Sequence, residues 1–61
     1  MIILKIRIKS DNCTYLETHY LEDNFTISKQ NPLLEDLVQK ACINSHIEDI
    51  QDVILTAKLE W

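Results

Sequence analysis

Two cysteines and two histidines are the side chains best suited to nucleophilic or metal chemistry in these 61 residues. Cys42 and His46 stand four apart, a spacing that puts two side chains on one helical face. Two ligands make no metal site, and Cys13 with His19 has no zinc-binding spacing. Cys42 falls on an apolar helical stripe, where a free cysteine behaves as a small core residue, and His46 falls on a turn at the helix end. A cysteine nucleophile would need a base and an oxyanion hole assembled around a cleft. Cys13 reads as a turn residue, and neither histidine has an evident relation to either thiol. Glycine is absent from the chain, so no glycine-rich loop can cradle a phosphate. These residues predict no catalytic set, no metal and no cofactor. The chain reads as non-enzymatic.

The carboxylates are better organised. Glu22-Asp23, Glu35-Asp36 and Glu48-Asp49 with Asp52 form short, spaced acidic clusters, and Ile47, Ile50 and Ile54 interleave with the last of them. Acids at helix N-termini and charge for solubility account for such clusters in most proteins. Spaced carboxylates beside an apolar anchor are also what a DNA-mimicking inhibitor presents to a basic groove. The basic residues are concentrated at the other end of the chain. Residues 1–9 carry Lys5, Arg7 and Lys9 and no acid, whereas residues 10–61 carry all ten acids against Lys29, Lys40 and Lys58. With Tyr15 and His19, that basic ridge has the ingredients of a nucleic-acid platform. The net charge of -4 and the lack of an RNP-like aromatic pattern disfavour direct nucleic-acid binding. A solvated outer sheet face, with cross-strand pairs such as Arg7 to Glu17, is the plainer expectation.

Four elements must position these groups. In residues 2–9, Ile2, Leu4, Ile6 and Ile8 point one way and Ile3, Lys5, Arg7 and Lys9 the other, which predicts a strand. Ser10-Asp11-Asn12-Cys13 predicts a hairpin turn, with Asn12 the residue best suited to a left-handed position. Residues 14–21 predict a second strand with Leu16, Thr18 and Tyr20 on one face and Tyr15, Glu17 and His19 on the other. A bulge or short turn at Glu22-Asp23-Asn24 would bring Phe25 and Ile27 inward, with residues 25–28 as a strand tail or a brief separate strand. Asn31-Pro32 begins a helix, Asn as the cap and Pro in the first turn. Leu33, Leu34, Leu37, Val38, Ala41 and Cys42 form its apolar stripe, opposite Glu35, Asp36, Gln39 and Lys40. Asn44 is the expected helix end, and Ser45-His46-Ile47-Glu48 has capping-box spacing for a further short turn. Residues 53–61 alternate again, with Val53, Leu55, Ala57, Leu59 and Trp61 inward.

The predicted fold is therefore α+β, a single ββαβ domain over 1–61. Its three-stranded antiparallel sheet takes the order 2-1-3, with one helix on one face. The open face is expected to carry Ile3, Lys5, Arg7, Ile54, Thr56 and Lys58, with Tyr15, Glu17 and His19 from the second strand. At 46% hydrophobic and with nineteen residues that are Ile, Leu or Val, the chain has the composition of a folded protein. A domain this short buries only about 60% of its unfolded surface, so a homodimer or a tight partner is expected to support it. The opening Met-Ile-Ile-Leu stops at Lys5, far short of a membrane span of about 20 residues. With two cysteines and no signal sequence, the expected compartment is the cytoplasm.

This order of elements in an acidic chain resembles small bacteriophage proteins that disable host enzymes, in particular the short dimeric uracil-DNA glycosylase inhibitors of small tailed phages. The residues that carry the resemblance are Tyr15-Leu16-Glu17-Thr18-His19-Tyr20, Leu33 to Cys42, and Glu48-Asp49-Ile50 running into Asp52-Val53-Ile54-Leu55. The small phage inhibitor of bacterial RNA polymerase is similar in element order. The turn glycines of those proteins are missing here, and the first strand is basic. What the resemblance implies is a homodimeric inhibitor that blocks a host nucleic-acid-processing or defence enzyme, with Glu17, Glu48, Asp49 and Asp52 as phosphate mimics. Ile50 and Ile54 are the expected apolar anchors, and the expected partner is a host protein with a basic groove. A different class of reading is an assembly subunit that associates with its own kind by strand addition. Asn24-Phe25-Thr26 and Leu33-Leu34-Glu35-Asp36-Leu37 are also similar to antitoxins whose sheet precedes a Leu-Glu-rich helix.

Overall fold

The computed structural model describes residues Met1 to Glu60, so the inward position expected for Trp61 lies outside the described residues. β1 (Ile2–Lys9), β2 (Thr14–Leu21), α1 (Pro32–Ser45) and β3 (Asp52–Leu59) follow in that order. The strands form one antiparallel sheet in the order β2-β1-β3, so the expected α+β architecture and strand order hold. The most apolar strand is central because it alone is flanked on both sides. Leu4, Ile6 and Ile8 are fully buried and form the core with Leu34 and Ala41 of the helix, while Tyr15, Leu21, Phe25, Leu37, Val38, Cys42, Ile47 and Val53 pack around it.

The hairpin register corrects the expected faces of β2. Lys9 stands opposite Thr14 and Ile8 opposite Tyr15, so the odd residues of β2 share a side with the even residues of β1. Tyr15, Glu17, His19 and Leu21 therefore lie on the helix side, and Leu16, Thr18 and Tyr20 lie on the open face. The cause is the length and closure of the turn. Ser10 N–H donates to the Cys13 carbonyl at 3.0 Å, and Cys13 N–H donates to Ser10 Oγ at 3.2 Å, which holds four residues between the strands. A one-residue change in register would exchange the two faces. The expected pair of Arg7 with Glu17 is excluded, since Arg7 faces Leu16 and Glu17 faces Ile6 on the opposite side. Closure by the Ser10 side chain also removes the need for a left-handed Asn12. Among the described residues only His46 has positive φ, at 57°.

Residues 25–28 form no strand. Phe25 N–H donates to the Glu22 carbonyl at 3.0 Å, and this short turn drops Phe25 against the core. The following loop is fastened to the helix start by Asn31, whose Oδ1 accepts from Leu33 N–H at 3.0 Å while its Nδ2 donates to the Thr26 carbonyl at 2.7 Å. The helix runs one residue beyond Asn44 and ends on His46. The expected further turn does not form. Ser45 Oγ instead donates to the Cys42 carbonyl at 2.7 Å and accepts from Ile47 N–H at 3.2 Å, turning Ile47 back toward the core.

The helix covers the sheet unevenly. It buries Leu34 and Ala41, half-buries Leu37, Val38 and Cys42, and leaves Leu33, expected in the stripe, 64% exposed. Every helix-side residue of β2 is half-buried, whereas on β3 only Val53 is. Leu55, Ala57 and Leu59 turn to the helix side as expected from their alternation, but they remain exposed.

Candidate protein-binding surface

The segment from Ile47 to Asp52 is held at both ends. Ile47 packs against the core, and Gln51 N–H donates to the Lys9 carbonyl at 2.8 Å while its side chain donates to Asp11 Oδ1. Between these anchors Glu48, Asp49 and Ile50 are all exposed. Asp52 is exposed at the start of β3 on the open face, opposite Lys9, and Ile54 follows on the same face opposite Arg7. Five of the six residues singled out in the sequence thus fall on one stretch, a fastened loop and the strand that leaves it. They present carboxylates and two exposed isoleucines with no nucleophile among them.

Glu17 is elsewhere. It sits on the helix side of β2 with its side chain only 19% exposed. Its Oε1 accepts from Asn44 Nδ2 at 3.3 Å and from the Tyr15 hydroxyl at 3.4 Å. Its Oε2 faces His19 Nε2 at 3.4 Å, and neither of those atoms has a hydrogen-bond partner among the described residues. Burial, followed by the charge of Glu17 and the hydrogen bond to it, raises the Tyr15 phenol above its ordinary pKa of 10.0. This cluster joins β2 to the C-terminal end of the helix and holds the Glu17 side chain mostly out of solvent. Sequence reasoning missed it by assigning β2 the wrong face. The signal was the four-residue turn, which dictates the parity.

The open face collects the positive charge. Its cross-strand rows are Tyr20-Ile3-Lys58, Thr18-Lys5-Thr56, Leu16-Arg7-Ile54 and Thr14-Lys9-Asp52. Four of the six basic residues lie there, and among the described residues none of the four makes an ion pair. A groove of about 180 Å³ lined by Ile3, Lys5, Thr56, Lys58 and Glu60 runs along it. Apart from Asp52 and Glu60 at its ends, the acids belong to the loops, the helix and the helix side of β2. The molecule is therefore charged oppositely on its two sides. Among the described residues there is no group of three or more His, Cys, Asp or Glu placed to hold a metal ion. No helix of the described residues is long and apolar enough to cross a membrane. Compared with family models, with curated proteins and with solved structures, the chain finds no match in any of the three.

Proposed function

We propose that this chain is a non-enzymatic inhibitor of the kind bacteriophages direct at host enzymes, acting as a homodimer in the host cytoplasm. It occupies a basic, nucleic-acid-binding groove of its target. The observation that supports this reading most directly is the fastened loop that exposes Glu48, Asp49 and Ile50 together. Loop ends fixed by Ile47 and Gln51 reduce the ordering cost of binding. Glu48 and Asp49 steer the encounter, Ile50 and Ile54 supply apolar contact, and Asp52 lies where the loop enters β3. Glu17 is left out of the contact residues, because its side chain is mostly buried and its Oε1 already accepts from Tyr15 and Asn44.

The test is affinity capture from bacterial lysate with the wild-type protein and the Glu48→Ser/Asp49→Ser variant. The expected result is one near-stoichiometric protein that is displaced by duplex DNA, lost at high salt and captured poorly by the variant. Equal capture by the variant would remove the mimicry. A second reading, self-assembly by strand addition, is favoured by one observation, the exposure of β3 on both of its faces.

A further inference from the structure

The backbone pairing and the charges of β3 locate an interface for the homodimer of the proposed function, and that interface rests on the dimeric part of the reading. Met1 and Glu60 exchange backbone hydrogen bonds, Glu60 N–H to the Met1 carbonyl at 2.9 Å and the Met1 ammonium to the Glu60 carbonyl at 3.1 Å. That makes them a hydrogen-bonded pair of the ladder. In an antiparallel sheet such pairs alternate, so Lys58, Thr56 and Ile54 direct their N–H and C=O groups to β1. Val53, Leu55, Ala57 and Leu59 direct theirs to the open edge. The side chains on the helix side are uncovered as well, with Leu55 39% and Leu59 49% exposed. A long apolar edge strand with unpaired backbone groups is a template for another strand.

A two-fold pairing of β3 with itself must set outward-directed residues opposite one another, so its axis passes through a residue. Three registers are near the middle of the strand. An axis at Thr56 sets Asp52 opposite Glu60 of the second copy, acid against acid. An axis at Ile54 sets Lys58 opposite Ile50, beyond the strand. An axis at Leu55 sets Leu55 opposite itself, Val53 opposite Ala57, Ile54 opposite Thr56, and Asp52 opposite Lys58, twice by symmetry. Only this register pairs opposite charges across the interface and uses nearly the whole strand. β2 offers no equivalent, because Thr14–Leu21 carries Glu17 and no lysine or arginine, and its helix-side residues are already half-buried.

We propose that two copies join through antiparallel β3 strands in the register centred on Leu55, with Asp52 of each facing Lys58 of the other. The product is a six-stranded sheet in the order β2-β1-β3-β3-β1-β2 with both helices on one side. Glu48 and Asp49 stay outside the interface and remain free to meet a partner.

The experiment is a concentration series by sedimentation or light scattering on wild type, Asp52→Lys, Lys58→Asp and the double exchange. Each single change sets like charges opposite twice, which is expected to weaken dimerisation by about 10-fold or more. The double exchange restores it. Amide hydrogen exchange on the wild-type dimer is the second measurement, expected to show protected Val53, Leu55 and Ala57 amides. A wild-type protein that is monomeric at micromolar concentration would end the homodimer reading itself. A dimer indifferent to the single changes, a double exchange that fails to restore, or rapidly exchanging Leu55 and Ala57 amides would overturn this interface and leave dimerisation standing.

Discussion

Glu17 shows how far a single side chain's meaning depends on which side of a strand it takes. On the open face it would neutralise Arg7; on the helix side it accepts from Tyr15 and Asn44 and faces His19. The raised Tyr15 pKa has a defined consequence for stability. Because the folded value lies above the unfolded one, the protonated phenol contributes stability that is fully present below pH 10.0 and lost as pH rises through the folded value. Replacing Glu17 with Gln removes the carboxylate charge, so the Tyr15 tyrosinate absorbance is expected to appear at lower pH. The alkaline loss of stability, which starts at the unfolded value in both proteins, should be smaller in the variant and complete at a lower pH. An unchanged Tyr15 titration, identified by its absence in Tyr15→Phe, would show that burial alone sets the shift. The types of these residues are plain in the sequence, but their meeting depends on the hairpin parity and on where the helix ends.

The two ends of the helix differ in how legible they are. Asn31-Pro32 is a local signal, and the structure bears it out with a side-chain cap that also holds the Thr26 carbonyl. Asn31→Ala is expected to cost about 1 kcal/mol, since substitution of a capping side chain by Ala typically costs that much. The C-terminal end carries no glycine, so no strong stop signal stands there, and the chain closes on a left-handed His46 at φ 57°. A residue with a Cβ is strained in that region, which favours glycine. His46→Gly is therefore expected to raise stability by about 0.5–1 kcal/mol, less any entropy glycine adds to the unfolded chain. Urea denaturation of both variants against wild type checks the two values, and a destabilised His46→Gly would mean that the imidazole itself supports the helix end. The strands were the most legible elements, because alternation marks residues 2–9 and the chain from 53 onward, although β3 starts at Asp52 and ends at Leu59 where the expected strand ran over 53–61. The turn at Glu22-Asp23-Asn24 that brings Phe25 inward was legible too, but residues 25–28 form no strand and Ile27, expected inward, is exposed.

Over the whole molecule, the buried core is four side chains of β1, Ile2, Leu4, Ile6 and Ile8, set against two of the helix, which is little for an independent fold. Domains below about 70–80 residues rarely gain more than about 3–5 kcal/mol from one core, and truncating a buried isoleucine to alanine costs about 2–5 kcal/mol. Ile6→Ala is accordingly expected to abolish cooperative thermal unfolding, as followed by circular dichroism. For the wild type, a dimer that stabilises the fold makes Tm rise with protein concentration, and a Tm independent of concentration would argue that the single chain is sufficient. Local pattern sufficed for the alternation of β1 and β3, the cap at Asn31, the apolar helix stripe apart from Leu33, the basic side of β1, and hence the ββαβ order with the isoleucine-rich strand central. These are periodic or local properties, decided by the 2.0 and 3.6 repeats and by single-residue chemistry. Long-range packing settled the face of β2, the enclosure of Glu17 and the exposure of β3. Each of those depends on a hairpin register or on where a helix rests across a sheet, and both are set by contacts between residues far apart in the chain.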